Sequence, residues 1–401
     1  MRHISHLPLI GGFSIACLNI LGVPPEIITS YSPFEANDTL LLRYLKNKHL
    51  NIPYYQLDKL NNYNNLNVYK NIDIATSIPP CSGLSMCSSF KSGIRATAPA
   101  NDWMYKSAQF ILETFSPKIY VFENGPNLFS DSGKLVRELL IEIAKKHDYA
   151  ITFYKTNSIY HGIPQNRPRT YTIFVPGKNA PILEFFNKPL PSITEFLSLI
   201  PSNASLQDKY ALKEPYINDF EIVKFLKKKF GLNWRQEFLK DKHHLTSYDF
   251  LYGRKLLEEF LEFAESFPDK NYLLIKDIKH VINKKSQGKN FRISYRVLCI
   301  DKDYIYAVIG EMMERNIHPI EDRRYNMREY LTFMKMPFDF EIENKEDYKK
   351  ITQNCPVATN EDIIRECIDI IKGNRKFSNE QVYMQDNTKK DIKEKKTKAL
   401  F

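Results

Sequence analysis

Two periods of apolar and polar residues alternate along the first 176 positions. Met104, Ala108, Ile111, Leu112 and Phe115 fall on one helical stripe, and Val136, Leu139, Leu140 and Ile143 repeat it. Around these stripes lie short apolar runs bounded by turn formers: Ile72 to Ile78, Lys118 to Phe122 closed by Gly125-Pro126, Ile151 to Tyr154, and Tyr171 to Val175. Short apolar strands alternating with amphipathic helices predict an α/β fold, a mostly parallel sheet covered on both faces.

The pattern changes near Gly177. Prolines gather at Pro181, Pro189, Pro191 and Pro201, and lysines interleave with aromatic residues from Lys224 through Trp234, Arg235, His243 and His244, which marks a smaller module over 177–290. Compact alternating structure resumes over 291–373, so the first domain, 1–176, is expected to be interrupted and then completed. The last segment, 374–401, ends in a Lys-rich run from Lys389 to Lys398 and holds few apolar residues, and is expected to be a disordered basic tail.

Composition narrows the class. At 401 residues and 43% hydrophobic, the chain can fill more core than one typical domain. No run approaches the roughly 18 apolar residues of a membrane span, and Met1 to Gly12 carries no leader pattern, which reads as a cytoplasmic protein without membrane contact. Cys17, Cys81, Cys87, Cys299, Cys355 and Cys367 are scattered without a CxxC pair, so free thiols and no metal site are expected. Lys and Arg number 57 against 47 Asp and Glu, and the net charge of +10 favours a polyanionic partner.

The densest candidate chemistry follows the run Ile72 to Ile78, which leads into Pro79-Pro80-Cys81-Ser82-Gly83-Leu84-Ser85. A strand end feeding a turn is where α/β sheets bind ligands, and a thiolate presented there is a strong nucleophile. A second strand ends in Glu123-Asn124-Gly125-Pro126; if the two strands are parallel neighbours, carboxylate and thiol share one sheet edge. The segment Tyr160-His161-Gly162-Ile163-Pro164-Gln165-Asn166-Arg167-Pro168-Arg169 leads into Tyr171 to Val175. Its alternating arginines are expected to share a face, suited to clamp a phosphate or a base edge. Taken singly, these are also the marks of a structural thiol, a surface carboxylate and a solvated edge strand.

In this order, PPCSGLS, ENG and QNRPR resemble the catalytic-loop, Glu-Asn and QxRxR motifs of the cytosine-5 DNA methyltransferase family of bacterial or phage type. Ile10-Gly11-Gly12-Phe13-Ser14 is similar to the second half of that family's cofactor loop, and Asp58 stands where its third motif has an aspartate. Arg324-Tyr325-Asn326-Met327-Arg328-Glu329 and Gln353-Asn354-Cys355-Pro356-Val357 resemble its last two motifs. The resemblance covers 4–176 and 291–373. The segment 177–290 falls where the family carries its target recognition domain.

The resemblance implies a Rossmann-like S-adenosylmethionine-dependent methyltransferase sheet with that smaller domain inserted. It implies Cys81 as the nucleophile toward carbon 6 of a flipped cytosine and Glu123, its pKa raised, at nitrogen 3. Arg167 would sit at the base carbonyl, Arg169 on the loop or a phosphate, and Asn124 would brace the loop. Gly11, Gly12, Phe13, Asp58, Pro79 and Asn354 are the expected S-adenosylmethionine contacts. Ser85, Lys91, Arg95, Gln165, Lys228 and Arg235 are the expected contacts to double-stranded DNA. A monomer is expected, with room for a cognate restriction endonuclease as partner.

The pattern has departures. Leu9 stands at the first glycine of the cofactor loop, no acidic residue ends the second strand, with Glu35 as a substitute, and Gly125 replaces a valine. They leave two alternatives, a non-catalytic DNA-binding relative and a phage pyrimidine-modifying enzyme that uses a different donor.

Overall fold

The computed structural model of the chain describes residues 1–80, 82–84, 97–202, 204, 221–240, 247–289, 299–300, 303–309, 316–321, 323–342 and 347–389. The chain divides into two compact units, Met1–Leu190 with Phe333–Glu343 and Gln353–Phe401, and Pro191–Thr332 with Asn344–Thr352.

The first unit opens with β1 (His3–His6), α1 (Gly12–Leu21), β2 (Ile28–Ser30), α2 (Glu35–Asn47), β3 (Tyr54–Gln56) and β4 (Ile74–Ser77). It continues with α3 (Asp102–Phe115), β5 (Ile119–Asn124), α4 (Lys134–Lys146), β6 (Tyr149–Asn157) and β7 (Pro168–Pro176). The remaining helices are α5 (Ile193–Leu197), α6 (Glu221–Phe230), α7 (Trp234–Leu239), α8 (Ser247–Gly253), α9 (Leu257–Glu265), α10 (Pro268–Ser286), α11 (Met327–Phe333), α12 (Tyr348–Gln353) and α13 (Val357–Ile371), and β8 (Val382–Asp386) follows them.

Eight strands form one sheet in the order β8-β6-β7-β5-β4-β1-β2-β3. β7 runs antiparallel to β5 and β6, and the other neighbours are parallel. Strand periodicity divides the core between two faces. Ala75, Tyr120, Phe122, Ile151, Phe153 and Phe174 pack with Met104, Ile111 and Leu140 of α3 and α4. Ile74, Ile119, Val121, Tyr171 and Ile173 pack with Phe13 and Cys17 of α1 and Ile363, Ile364 and Cys367 of α13. Both faces of the central strands are covered, which is why they read as continuous apolar runs in the sequence.

Three boundaries differ from the expectation. Residues 291–332 and 344–352, expected to complete the first domain, group with the second unit, so that only 333–343 and the chain from 353 onward return to the first. Residues 177–190 belong to the first unit: Ala180 and Leu183 are buried there, and Thr152 and Tyr154 donate hydrogen bonds to the carbonyls of Pro181 and Glu184. The expected disordered tail is folded as far as 389, because β8 adds to β6 in parallel register, Val382 opposite Ile151 through Asp386 opposite Lys155. Backbone pairing on a sheet edge supplies what the sparse apolar content of this segment does not. Arg375, which precedes the strand, forms an ion pair with Glu366 of α13.

In the second unit, α6 to α10 surround their own core, which includes Phe225, Leu226, Trp234, Phe250, Phe260, Ile278 and Val281. α5 begins with a capping box between Ser192 and Glu195, and α10 begins at Pro268, a position where the missing N–H costs nothing.

Candidate active site

β4 and β5 are parallel neighbours, with Ser77 opposite Phe122, so the segment after β4 and the end of β5 meet at one sheet edge. Cys81 itself lies outside the described residues, as do Ser85, Lys91 and Arg95. The chain on either side of Cys81 is held by two amides from the end of β5 and the turn after it. Asn124 Nδ2 donates to the Pro79 carbonyl at 3.3 Å, and Asn127 Nδ2 donates to the Leu84 carbonyl at 2.8 Å. Gly83 is required here, since a Cβ would lie 2.5 Å from Asn101 Oδ1 and 2.7 Å from Ala98 Cβ.

Glu123 is buried at the end of β5, directly opposite Tyr171 on β7. Its carboxylate pairs with the Arg169 guanidinium. Burial raises the Glu123 pKa above the usual carboxylate range, against the opposing pull of Arg169 and Arg167. Beneath this pair, the Tyr171 hydroxyl shares a 2.8 Å hydrogen bond with Cys355 Sγ and donates to Asn360 Oδ1 at 2.8 Å. Desolvation pushes both the Tyr171 hydroxyl and the Cys355 thiol well up, so this floor stays neutral. The sequence marks Tyr171 only as the start of a strand and does not mark Asn360. No local pattern joins them, because Asn360 lies on α13, 189 positions from Tyr171.

The two arginines make different direct contacts. Arg167 precedes β7, its N–H donates to Asn157 Oδ1 at 2.9 Å, and its buried guanidinium donates from Nη2 to the Asn354 carbonyl at 2.7 Å. The regular alternation of β7 starts only at Pro168, and Arg167, just ahead of it, is fully buried, with its charge felt by both Glu123 and Cys355. The same segment is pinned by His161, which bonds Asp362 at 2.9 Å and Thr156 at 2.8 Å.

The expected cofactor loop is also tied into the protein. Gly11, at φ 100°, caps α1, and a Cβ there would lie 2.4 Å from Leu41 Cδ1. Gly12 donates its N–H to Asn354 Oδ1 at 2.9 Å, and Asn354 is fully buried. Phe13 is a core residue edge-on to Tyr171, at a centroid distance of 5.9 Å. Gly12, Phe13 and Asn354 therefore build the loop from behind. Pro79 is buried and serves through its carbonyl. Leu9 takes φ 52°, the left-handed conformation for which a glycine is suited.

Next to this loop, at the ends of β2 and β3, Asp58 is exposed and accepts the Ser32 N–H at 2.9 Å. Tyr31 and Phe34, both half-buried, pack against Trp103 of α3 at 4.9 and 5.0 Å between ring centroids. Glu35 is exposed, with Lys59 at 4.0 Å. The buried acid here is Asp38, which accepts the Tyr54 hydroxyl at 2.9 Å and whose pKa desolvation lifts to about 7.

Two of the expected DNA contacts are occupied within the protein. Gln165 is fully buried and donates to the Phe333 carbonyl at 2.9 Å. Arg235 donates to the carbonyls of His318, at 2.6 Å, and Glu321, and stacks over Trp234. Gln165 is thereby closed off from solvent, whereas Arg235 is half-buried and holds its two carbonyls at the surface. Lys228 is exposed, its ammonium 5.6 Å from the centre of the Phe263 ring. Among the described residues, no cluster of His, Cys, Asp and Glu could hold a metal ion, and no helix is long and apolar enough to cross a membrane.

Known proteins share this fold. The fold resembles a methyltransferase of Entamoeba histolytica, EhMeth, with a TM-score of 0.55 at 12% identity over 92% of this chain and 98% of that one. It also resembles a putative DNA modification methyltransferase encoded within a prophage of E. coli, with a TM-score of 0.56 at 14% identity over 93% and 99%. In sequence, 105 residues are 29% identical to the type II methyltransferase M.NgoBI of Neisseria gonorrhoeae, a match over 26% of this chain and 32% of that protein, so only about a third of the relative's length is spanned. The family model of the C-5 cytosine-specific DNA methylases matches residues 7–369. On that match, which leaves out only residues 1–6 and 370–401, the chain belongs to the C-5 cytosine-specific DNA methylase family.

Proposed function

We propose that this protein methylates carbon 5 of a cytosine flipped out of duplex DNA, with Cys81 as nucleophile and S-adenosylmethionine as donor. The observation that carries this reading is the buried Glu123–Arg169 pair at the end of β5, beside a loop whose carbonyls Asn124 and Asn127 hold on both sides of Cys81.

Carbon 5 of cytosine is a poor nucleophile until a group adds at carbon 6. The Cys81 thiolate forms that bond, and the ring electrons move toward carbon 5 and nitrogen 3. A protonated Glu123, favoured by its burial, donates to nitrogen 3 and neutralises the developing charge. Arg169, rather than Arg167, then contacts the base carbonyl, since Arg169 faces the carboxylate and Arg167 is committed to Asn354. Carbon 5 would then take the donor's methyl group, with the donor's thioether leaving. Water acting as base removes the carbon-5 proton, the freed electron pair expels the Cys81 thiolate, and nitrogen 3 returns its proton to Glu123, which regenerates the enzyme. Unstacking the base costs a few kcal/mol, which contacts in the closed site offset.

The residues fit the adenosine half of the donor. Tyr31, Phe34 and Trp103 offer half-buried aromatic surface for stacking a purine, and the exposed Asp58 carboxylate beside them accepts from an amino group or hydroxyl. The donor supplies an electrophilic methyl group when bound. Gly11 and the start of α1 shape the loop on which its other end rests. The second unit takes the part of target recognition domain. The likeness to a type II methyltransferase over 105 residues supports a modification enzyme; a monomer acting in the cytoplasm, with a cognate endonuclease as partner, is proposed along with it.

The test is covalent trapping on duplex DNA containing 5-fluorocytosine, in which fluorine blocks the final elimination. A denaturation-resistant adduct that requires S-adenosylmethionine and is lost in Cys81→Ser is the expected result. Absence of any adduct across diverse duplexes, with DNA binding intact, would overturn it.

A further inference from the structure

We propose that the exposed face of α10 is the surface by which the second unit reads duplex DNA, with its asparagine and glutamine directed at an adenine edge in the major groove. This rests on the proposed DNA substrate and adds the element that contacts it.

Within the bundle α6–α10, charge is sorted by helix. The exposed residues of α9 include Glu258, Glu259, Glu262 and Glu265 and no lysine or arginine. From Tyr272 to Lys289, α10 and the turn after it carry Lys276, Lys279, Lys284, Lys285 and Lys289 against Asp277 alone. Folding by itself does not require this sorting, since a solvated face accepts either sign. A polyanion would be drawn to α10 and repelled by α9.

The helix buries Asn271, Ile278 and Val281 and turns the opposite side outward. Tyr272, Lys276, Lys279, His280, Asn283 and Gln287 are all exposed, at spacings of three and four residues. They form a straight stripe about 22 Å long at 1.5 Å per residue, and no carboxylate lies among them. Every one of these side chains can donate a hydrogen bond. Tyr272 is 70% exposed, an aromatic ring that the core does not use. The far end of the stripe is already ordered: Gln287 Nε2 donates to Asn283 Oδ1 at 2.9 Å, and Lys289 Nζ donates to Gln287 Oε1 at 3.0 Å. Side-chain amides match the acceptor–donor pair that adenine presents in the major groove, which is wide enough to admit a helix. Lys276, one turn on from Tyr272, is placed for a phosphate. Lys279 is partly engaged by Glu265 at 2.8 Å and is left out of the test.

The experiment measures binding of the full-length protein to fluorescent duplexes with a randomised core, at several salt concentrations, and sequences the bound fraction. Lys276→Ala should lower the slope of log affinity against log salt by about one, with the selected sequence unchanged. Asn283→Ala should lose preference at one adenine, weakening affinity for the selected sequence roughly five- to a hundredfold while affinity for random duplex holds. Both positions are exposed, and thermal melts of the variants confirm that they fold. If both variants keep the wild-type slope and selection, the proposal is overturned. A wild-type protein that binds no duplex overturns the underlying DNA reading and this proposal with it, and that result is distinct because it needs no variant.

Discussion

Arg169 on β7 and Glu123 on β5 form an ion pair across antiparallel strands, Arg169 lying two residues along from Tyr171, the register partner of Glu123. The diagonal placement puts both charges on one face at the sheet edge. Burial favours the protonated carboxyl, and the guanidinium limits how far its pKa rises.

Adduct formation should therefore fall as pH rises through the raised Glu123 pKa, where the proton for nitrogen 3 is lost. Glu123→Gln should flatten that limb and slow trapping by about 10²- to 10⁴-fold, the usual range for a lost general acid. Arg169→Ala removes the cation that lowers the pKa, so the limb should move to higher pH. Rapid-quench trapping across a pH series reads all three, and a limb that Arg169→Ala leaves in place would remove Arg169 from the pair's titration.

Arg167 should behave as a structural residue. Its truncation leaves the Asn354 carbonyl without a partner inside the protein, at a cost of about 1–3 kcal/mol. Arg167→Ala should show that loss in denaturant unfolding, with donor binding weakened because Asn354 also holds Gly12. Unchanged stability in this variant would contradict the strut assignment.

Asp38 gives the fold a pH dependence of its own. Its pKa is lifted to about 7 from the ordinary 3.8, so the folded state binds a proton that the unfolded chain releases. The stabilisation is complete below about pH 4 and is lost as pH rises through 7. His3 and His6, buried and lowered to about 4 and about 3, act in the opposite sense, and their contribution is lost as pH falls below 6.5. Asp38→Asn should be more stable than the wild type at pH 8, by a few kcal/mol (about 4 as an upper guide), and should retain only the acid limb. Chemical denaturation at pH 5 and pH 8 decides it. A variant that loses as much stability as the wild type between those two values would assign the effect elsewhere.

Leu9 sits in a conformation that costs a non-glycine residue about 1 kcal/mol, and its side chain is buried. Leu9→Gly removes that strain but gives up roughly 2 kcal/mol of burial, so a small net destabilisation is expected. The open backbone should let the donor approach more closely. Calorimetric titration with S-adenosylmethionine should then show tighter binding than the wild type, and equal or weaker binding would show that Leu9 does not restrict the loop.

The sequence by itself determined the sheet, its helices and the order of the three motif segments. These follow from local periodicity and turn residues: the run Ile72 to Ile78 contains β4, Lys118 to Phe122 lies within or beside β5, and the stripe from Met104 to Phe115 is α3. Such patterns are legible because each strand or helix face must match the core it meets. The parallel pairing that brings Glu123 to the edge of the Cys81 loop was conditional in the sequence and is realised in the register of β4 and β5.

Only the tertiary structure decided which polar residues are left to act. Arg167 is taken by a carbonyl 187 positions away, Gln165 by one 168 away, and Arg235 by two carbonyls beyond the helical bundle. β8 folds from a segment whose composition predicts disorder, because a sheet edge offers backbone hydrogen bonds that composition does not record. A buried polar group must find a partner, and that partner can come from anywhere in the chain. Motif spacing therefore picked out the segments, while long-range hydrogen bonding ties the Arg167 guanidinium to Asn354 and leaves Arg169 as the ion-pair partner of Glu123.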